Sequence, residues 1–342
     1  MKTLCVFLGL LFFANIAQSY PTTGPVIGIV TNPADGFDQY PEDKFSYFYA
    51  SYVKYLEQGG AQVVPIYYDL PHDKIGSLLD KLNGVLFTGG SNEFEDKPGK
   101  LSEFGATLDY IVNYVIQQNQ KGKYYPLWGT CMGFQAIAGL IAKDFSILTG
   151  DCEGCHGVNK NNYWSNEYKS KLYSGLSEDL KQKMTNANLS VFYHQYMYHY
   201  DTFENTYPLN ITLTPVTHSY DTRGVKYVSS YESPSMPIYG TQFHPEKNAF
   251  EWRASYAMNR GYDAILLQQY YANFFVNEAR KNTNTFPDKD HYIIENYTPV
   301  VLPNHTVTSI YFFPSLKIKE AAPLNEKVKE LHGQFRKTIY RI

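Results

Sequence analysis

The residues best suited to chemistry are Gly129-Thr130-Cys131-Met132-Gly133, a cysteine with a glycine two positions away on each side. Before it stands the apolar run Pro126-Leu127-Trp128, and after it an apolar helix-forming stretch from Gln135 to Ala142. That order predicts a strand that breaks sharply into a helix and leaves the thiol at the apex, a nucleophile elbow with sulfur in place of oxygen. Glycines without Cβ let such a turn close. The first amides of the new helix point at the sulfur, favouring thiolate over thiol and offering a cradle for an oxyanion. A lone cysteine in an apolar stretch is otherwise an inert core residue. The glycine spacing argues against that reading here, and a nucleophile then requires a base.

His244-Pro245-Glu246 supplies one. Residues two apart in extended backbone point the same way, and Pro245 keeps the preceding histidine extended. A carboxylate placed so can fix the imidazole tautomer and stabilise its charged form while the other ring nitrogen faces the thiol. The chemistry this predicts is acyl transfer: Cys131 attacks a carbonyl, backbone amides of Gly90 and Met132 hold the oxyanion, His244 protonates the leaving amine, and water clears the thioester. No metal and no organic cofactor is required.

The elements that position these groups alternate strand and helix. Val26-Ile27-Gly28-Ile29-Val30 predicts a buried strand, Phe45 to Gln58 a helix ending at Gly59-Gly60, and Val63 to Tyr67 a second strand whose Pro65 marks an end or an edge. A short helix face follows at Ile75, Leu78, Leu79 and Leu82, then a strand at Gly84 to Phe87 ending in Thr88-Gly89-Gly90-Ser91, and a helix through Phe104, Leu108, Ile111 and Val115. Such alternation implies an α/β fold, a mainly parallel central sheet with helices on both faces and a site at the carboxyl edge. Both Cys131 and the glycine pair fall on that edge. From Asp151 to Tyr220 the periodicity weakens, which predicts an inserted subregion or lid. Val225 to Tyr231 reads as an exposed antiparallel strand and Ile238 to Phe243 as another. Ala254 to Asn282 reads as a long helix, Tyr292 to Phe313 as extra strands, and Lys317 to Ile342 as a peripheral helical tail.

Composition bounds the class. Lys plus Arg is 30 against 33 acids, so the formal charge of −3 indicates neither a nucleic-acid nor a polybasic membrane surface. Lys2, the apolar run Leu4 to Ala14 and Ala17-Gln18-Ser19 predict a secretory signal peptide over 1–19, because the run is well short of the roughly 20 residues that span a bilayer. Sequons at Asn188, Asn210, Asn296 and Asn304 agree with that route, so the mature chain is expected in a lysosome or vacuole or outside the cell. Cys152 and Cys155 then form a small disulfide or remain two loop thiols, and no second ligand pair suggests zinc.

With Thr88-Gly89-Gly90-Ser91, Gly129-Thr130-Cys131-Met132-Gly133 and His244-Pro245-Glu246 in this order, the chain resembles the class I glutamine amidotransferase-like superfamily. Within it, Gln242 to Lys247, Glu251-Trp252 and Phe274 to Lys281 are most similar to the γ-glutamyl hydrolases. The resemblance runs from about Pro25 to Phe313, with a catalytic domain over 20–314 and a tail over 315–342. Thr88 stands where that family has proline. The resemblance implies a flavodoxin-like fold and hydrolysis of γ-glutamyl bonds in folylpoly-γ-glutamates. It makes Cys131 the nucleophile, His244 the base, Glu246 its orienting partner and His194 a histidine beside the substrate, with Gly89, Gly90 and Met132 around the oxyanion. The expected partner is a small poly-γ-glutamyl molecule rather than nucleic acid or membrane, and the residues leave a homodimer open. A glutaminase feeding ammonia to a synthetase is the rival enzyme. A non-catalytic secreted glycoprotein is the rival from another class, and it would not need both nucleophile and base.

Overall fold

Five apolar segments, β-branched and aromatic, bury both of their faces and line up in parallel. In the computed structural model, which describes residues 20–165, 169–252, 258–302 and 309–315, they are β1 (Val26–Val30), β2 (Gln62–Ile66), β3 (Gly84–Phe87), β4 (Leu127–Thr130) and β8 (Ile238–Thr241). Three antiparallel strands extend one side: β5 (Tyr163–Trp164), β6 (Thr214–Tyr220) and β7 (Lys226–Glu232). The eight-stranded order is β5-β6-β7-β8-β4-β3-β1-β2. β2 is therefore an edge strand, as Pro65 indicates.

Helices α1 (Ala50–Glu57) and α5 (Tyr262–Ala279) cover one face, and α2 (His72–Leu79), α3 (Glu103–Gln120) and α4 (Met132–Ala142) the other. One core gathers Val64, Val85, Leu108, Ile111 and Phe134, and the second Ile27, Leu86, Trp128, Tyr271 and Phe275. The α/β architecture with a mainly parallel sheet and helices on both faces is thus the observed one. Among the described residues no helix is long and apolar enough to cross a membrane.

Several elements depart from the sequence reading. Phe45–Tyr49 is a strand rather than the first turns of α1, because Phe45, Tyr47 and Tyr49 pack to one side and Phe48 to the other, and the segment pairs with Ser309–Pro314 on one edge and Asn32–Pro33 on the other. β8 is parallel to β4, not antiparallel to it: the hairpin from β7 reverses the chain, so β8 leaves the sheet at the same edge as β4. β7 is antiparallel as expected but buried instead of exposed, since Tyr227 packs into one core and Val228 and Tyr231 into the other. The stretch from Asp151 to Tyr220, expected as an inserted subregion or lid, contributes β5 and β6 to the main sheet and sets His156 and Tyr193 to Tyr196 beside Cys131. Of the long helix expected over Ala254 to Asn282, residues 254–257 lie outside the described residues, and α5 runs from Tyr262, after Gly261, to Ala279. Within the same stretch, His156–Lys160 pairs with Ser190–Tyr193 beside the site, and Cys152 and Cys155 form a disulfide. Residues 1–19, expected to be a signal peptide, Asn304 and the tail beyond Ser315 lie outside the described residues, while Asn188, Asn210 and Asn296 are exposed.

Candidate active site

The parallel pairing of β8 with β4 brings Thr241 level with Thr130, so the segments that follow both strands emerge side by side. Cys131 occupies the junction between β4 and α4 with φ 52° and ψ −106°, a conformation that non-glycine residues adopt only when their surroundings impose it. The surroundings here are specific. Cys131 N–H donates to Thr241 O at 2.8 Å, Gln135 N–H to Cys131 O at 2.9 Å and Gly133 N–H to Thr88 O at 2.9 Å. Both flanking glycines are needed by space: a Cβ on Gly129 would lie 2.6 Å from Gly133 O, and one on Gly133 would lie 2.3 Å from Phe87 O. The thiol is free, buried, and 3.5 Å from Tyr193 O.

His244 and Glu246 meet as the sequence demands but by a different path. Instead of lying extended, the backbone turns after His244, with Lys247 N–H bonded to His244 O at 3.2 Å, and this turn swings the carboxylate under the ring. Nδ1 lies 2.7 Å from Glu246 Oε1, so Nδ1 carries the proton that this bond requires and Nε2 is turned away from the carboxylate. Gly89 packs between the two catalytic groups: a Cβ there would lie 2.8 Å from His244 Cε1 and 3.3 Å from Cys131 Cβ.

The electrostatics follow from burial and partners. Burial opposes the His244 imidazolium, but the Glu246 carboxylate, followed by Cys131, outweighs it and raises the His244 pKa to about 9. Glu246 is fully buried, which by itself would raise its pKa, yet the His244 charge and hydrogen bond, aided by Lys247, hold it below the usual carboxylate range. Lys247 sits 3.9 Å from both Glu246 and Glu251, and these carboxylates overcome burial to raise its pKa.

A cavity of about 360 Å³ opens in front of Cys131, lined also by Gly90, Met132, His156, Tyr193 and His194. Gly89 offers no spare amide to it, because its N–H is spent on Tyr52 Oη at 2.7 Å. Among the described residues the amides of Gly90 and Met132 have no such acceptor. His194 lines the cavity wall with Nδ1 2.9 Å from Tyr196 O. Burial, ahead of all else, lowers its pKa to about 3, so the ring is neutral.

That depression has a stability consequence. The unfolded chain binds a proton on His194 below about 6.5, whereas the folded chain does not until about 3, so His194 costs stability increasingly as pH falls through that interval. Urea titrations of His194→Gln are expected to show a shallower loss of stability between pH 6.5 and 4 than the parent. An unchanged slope would contradict a buried neutral ring.

Three participants carry no local signature in the sequence. Tyr52 reads as part of the apolar stripe of α1, yet its hydroxyl is 3.4 Å from His244 Nδ1. Gln135 bridges α4 to the cavity wall through Tyr196 O and Gln242 Oε1, at 2.9 and 3.1 Å. Asn32 lies just past the carboxyl end of β1, on the same edge as the site, and that position was the available signal.

A parallel α/β sheet that presents a strained cysteine, a histidine and a carboxylate at its carboxyl edge defines a cysteine-type hydrolase. The chain matches the peptidase C26 family over residues 25–246 and belongs to it. It is 33% identical to gamma-glutamyl hydrolase B of Dictyostelium discoideum over 318 residues, 91% of this chain and 89% of that protein. It is 29% identical to human gamma-glutamyl hydrolase over 310 residues, 88% and 94% of the two chains, and 32% identical to Arabidopsis thaliana gamma-glutamyl hydrolase 1 over 288 residues, 80% and 78%. Among solved structures, the glutaminase domain of Trypanosoma brucei CTPS superposes with a TM-score of 0.49 at 15% identity, covering 77% of this chain and 98% of that one.

Proposed function

We propose that this enzyme hydrolyses γ-glutamyl bonds of folylpoly-γ-glutamates through a thioester on Cys131. The observation that carries the reading is the His244–Glu246 contact of 2.7 Å beside a cysteine forced to the apex of its turn and facing a cavity. His244, an imidazolium over the neutral range, holds the proton that the thiol gives up. The thiolate adds to the γ-carbonyl, and the C=O electrons move onto oxygen against the amides of Gly90 and Met132. As the oxyanion collapses, the C–N bond breaks and His244 gives its proton to the departing amine. Water, deprotonated by the now neutral ring, attacks the thioester and frees the γ-carboxylate and the thiol. The aromatic walls at Tyr193 and Tyr196 suit a flat ring system on the substrate.

The signal-like N-terminus and the sequons support passage through the secretory route to a lysosome, a vacuole or the exterior. A time course on a pteroyl-polyglutamate tests the activity directly. The parent is expected to shorten the tail, and Cys131→Ala to lose at least about 10⁴-fold in rate. Cleavage that survives the substitution would overturn the thioester route, and a parent inert on γ-glutamyl substrates would overturn the assignment itself.

A further inference from the structure

The Gly89–Gly90 peptide that offers one of the two oxyanion amides joins two glycines, so its plane is free to flip unless it is held. Neither residue has a Cβ to resist rotation, and a flip would replace the Gly90 N–H with the Gly89 carbonyl, setting oxygen against oxygen. The structure shows how that is prevented. Asn32, itself buried, donates both protons of Nδ2, one to Gly89 O at 2.9 Å and the other to Thr88 Oγ1 at 3.1 Å. In a trans peptide C=O and N–H point in opposite directions, so fixing the carbonyl on Asn32 fixes the Gly90 N–H toward the other side. Gly90 lies between Asn32 and Met132: a Cβ on it would be 2.8 Å from Asn32 Nδ2 and 2.7 Å from Met132 Cε. Asn92 N–H, bonded to Met132 Sδ at 3.3 Å, closes the same loop onto the start of α4. At the other end of Gly89, its N–H is held by Tyr52 Oη at 2.7 Å.

We propose that Asn32 is a positioning residue for the hydrolysis, acting on the oxyanion through the Gly89–Gly90 peptide and touching neither substrate nor nucleophile. The proposal rests on the reading of Cys131 as the nucleophile and of Gly90 and Met132 as the oxyanion donors. It assigns a catalytic consequence to a residue outside the Cys131, His244 and Glu246 constellation. It also explains why a threonine suits position 88, where its hydroxyl takes the second Nδ2 proton and sets the plane of the Asn32 amide.

Two near-isosteric variants separate this role from simple support of the fold. Asn32→Leu removes the donor, and Asn32→Asp sets a carboxylate against the Gly89 carbonyl and favours the flipped peptide. Loss of a well-placed oxyanion donor costs about 10²- to 10³-fold in kcat. Asn32→Leu is expected to lose roughly 10²-fold in kcat on a pteroyl-polyglutamate with KM little changed, and Asn32→Asp to lose more.

Two further readings are taken on the same proteins. A γ-glutamyl aldehyde adds to the thiol through a new C–S bond, with its oxygen in the oxyanion position, and its affinity is expected to fall in parallel with kcat. Alkylation of Cys131 by iodoacetamide builds no oxyanion, and its rate is expected to stay at the parent value. A fall in alkylation rate matching the fall in kcat would show that Asn32 acts on the thiol or the fold, and unchanged kcat in both variants would show that it does not act at all. Either result overturns the proposal. A parent protein that cleaves no γ-glutamyl substrate would instead overturn the functional reading, so the two failures are distinct.

Discussion

Glu246→Gln is expected to lower kcat/KM by roughly 10³- to 10⁴-fold, the order found when the carboxylate that orients a catalytic histidine is replaced by an amide. It is also expected to move the alkaline limb of the pH profile downward. His244 is buried, and burial alone would push its pKa below that of a free imidazole. The Glu246 carboxylate, 2.7 Å from Nδ1, is the first of the groups that reverse this and hold the value at about 9. A glutamine keeps the shape and removes the charge, so the imidazolium is lost at a lower pH and the acid for the leaving amine disappears with it. The parent profile should fall off near pH 9, and that of the variant at least one unit lower.

The same shift contributes to stability, with a defined sign. Because the folded pKa of His244 lies above its unfolded value of about 6.5, the contribution is fully present below pH 6.5 and is lost as pH rises through 9. The variant should therefore lose stability mainly on the acid side of that window. Measured pH–rate profiles with coincident limbs would remove Glu246 from the mechanism.

The catalytic constellation was legible because each part has a local signature. Glycine two residues to either side of Cys131 is a backbone requirement, written in the sequence wherever the elbow must close, and His-Pro-Glu places two titratable groups within reach of each other whether the backbone is extended or turned. What joins them is not local. Only the parallel pairing of β8 with β4 sets His244 beside Cys131, and a four-residue apolar strand carries no mark of its direction. The direction follows from the β7 hairpin before it. Phe45–Tyr49 reads as helix in the sequence because its aromatic positions continue the spacing of α1, and its partners in Ser309–Pro314 lie more than 250 residues away. Tyr52 and Asn32 were hidden for a related reason. One looks like a core residue on a helix face, the other like a turn residue before a proline, and both are tied to the peptide of Gly89, which no sequence pattern connects to either.

The elbow makes a second demand with a large expected effect. Gly133→Ala should destabilise the fold and disable the site together. A Cβ at position 133 would stand 2.3 Å from Phe87 O and 2.6 Å from Phe87 C, well inside contact distance, and both atoms belong to the backbone of β3 in the middle of the sheet. A flexible side chain could swing away at little cost, but a central strand bonded on both sides cannot. The start of α4 must move instead. That displacement breaks the bond from Gly133 N–H to Thr88 O, which ties the Cys131 turn to the glycine pair. Gly90 and Met132, the two amides aimed at the oxyanion, sit on opposite sides of the bond and would separate. Overpacking of this kind costs about 1–3 kcal/mol, and the lost hydrogen bond about 1 kcal/mol more. A lowered urea midpoint with unchanged m is expected, together with a fall in kcat larger than the fraction of unfolded protein explains. Gly24→Ala serves as the matched control, since nothing lies within 4 Å of a Cβ at that position. If the Gly133 variant matched that control in both stability and rate, the close approach of α4 to β3 would not be what holds Cys131 at the apex.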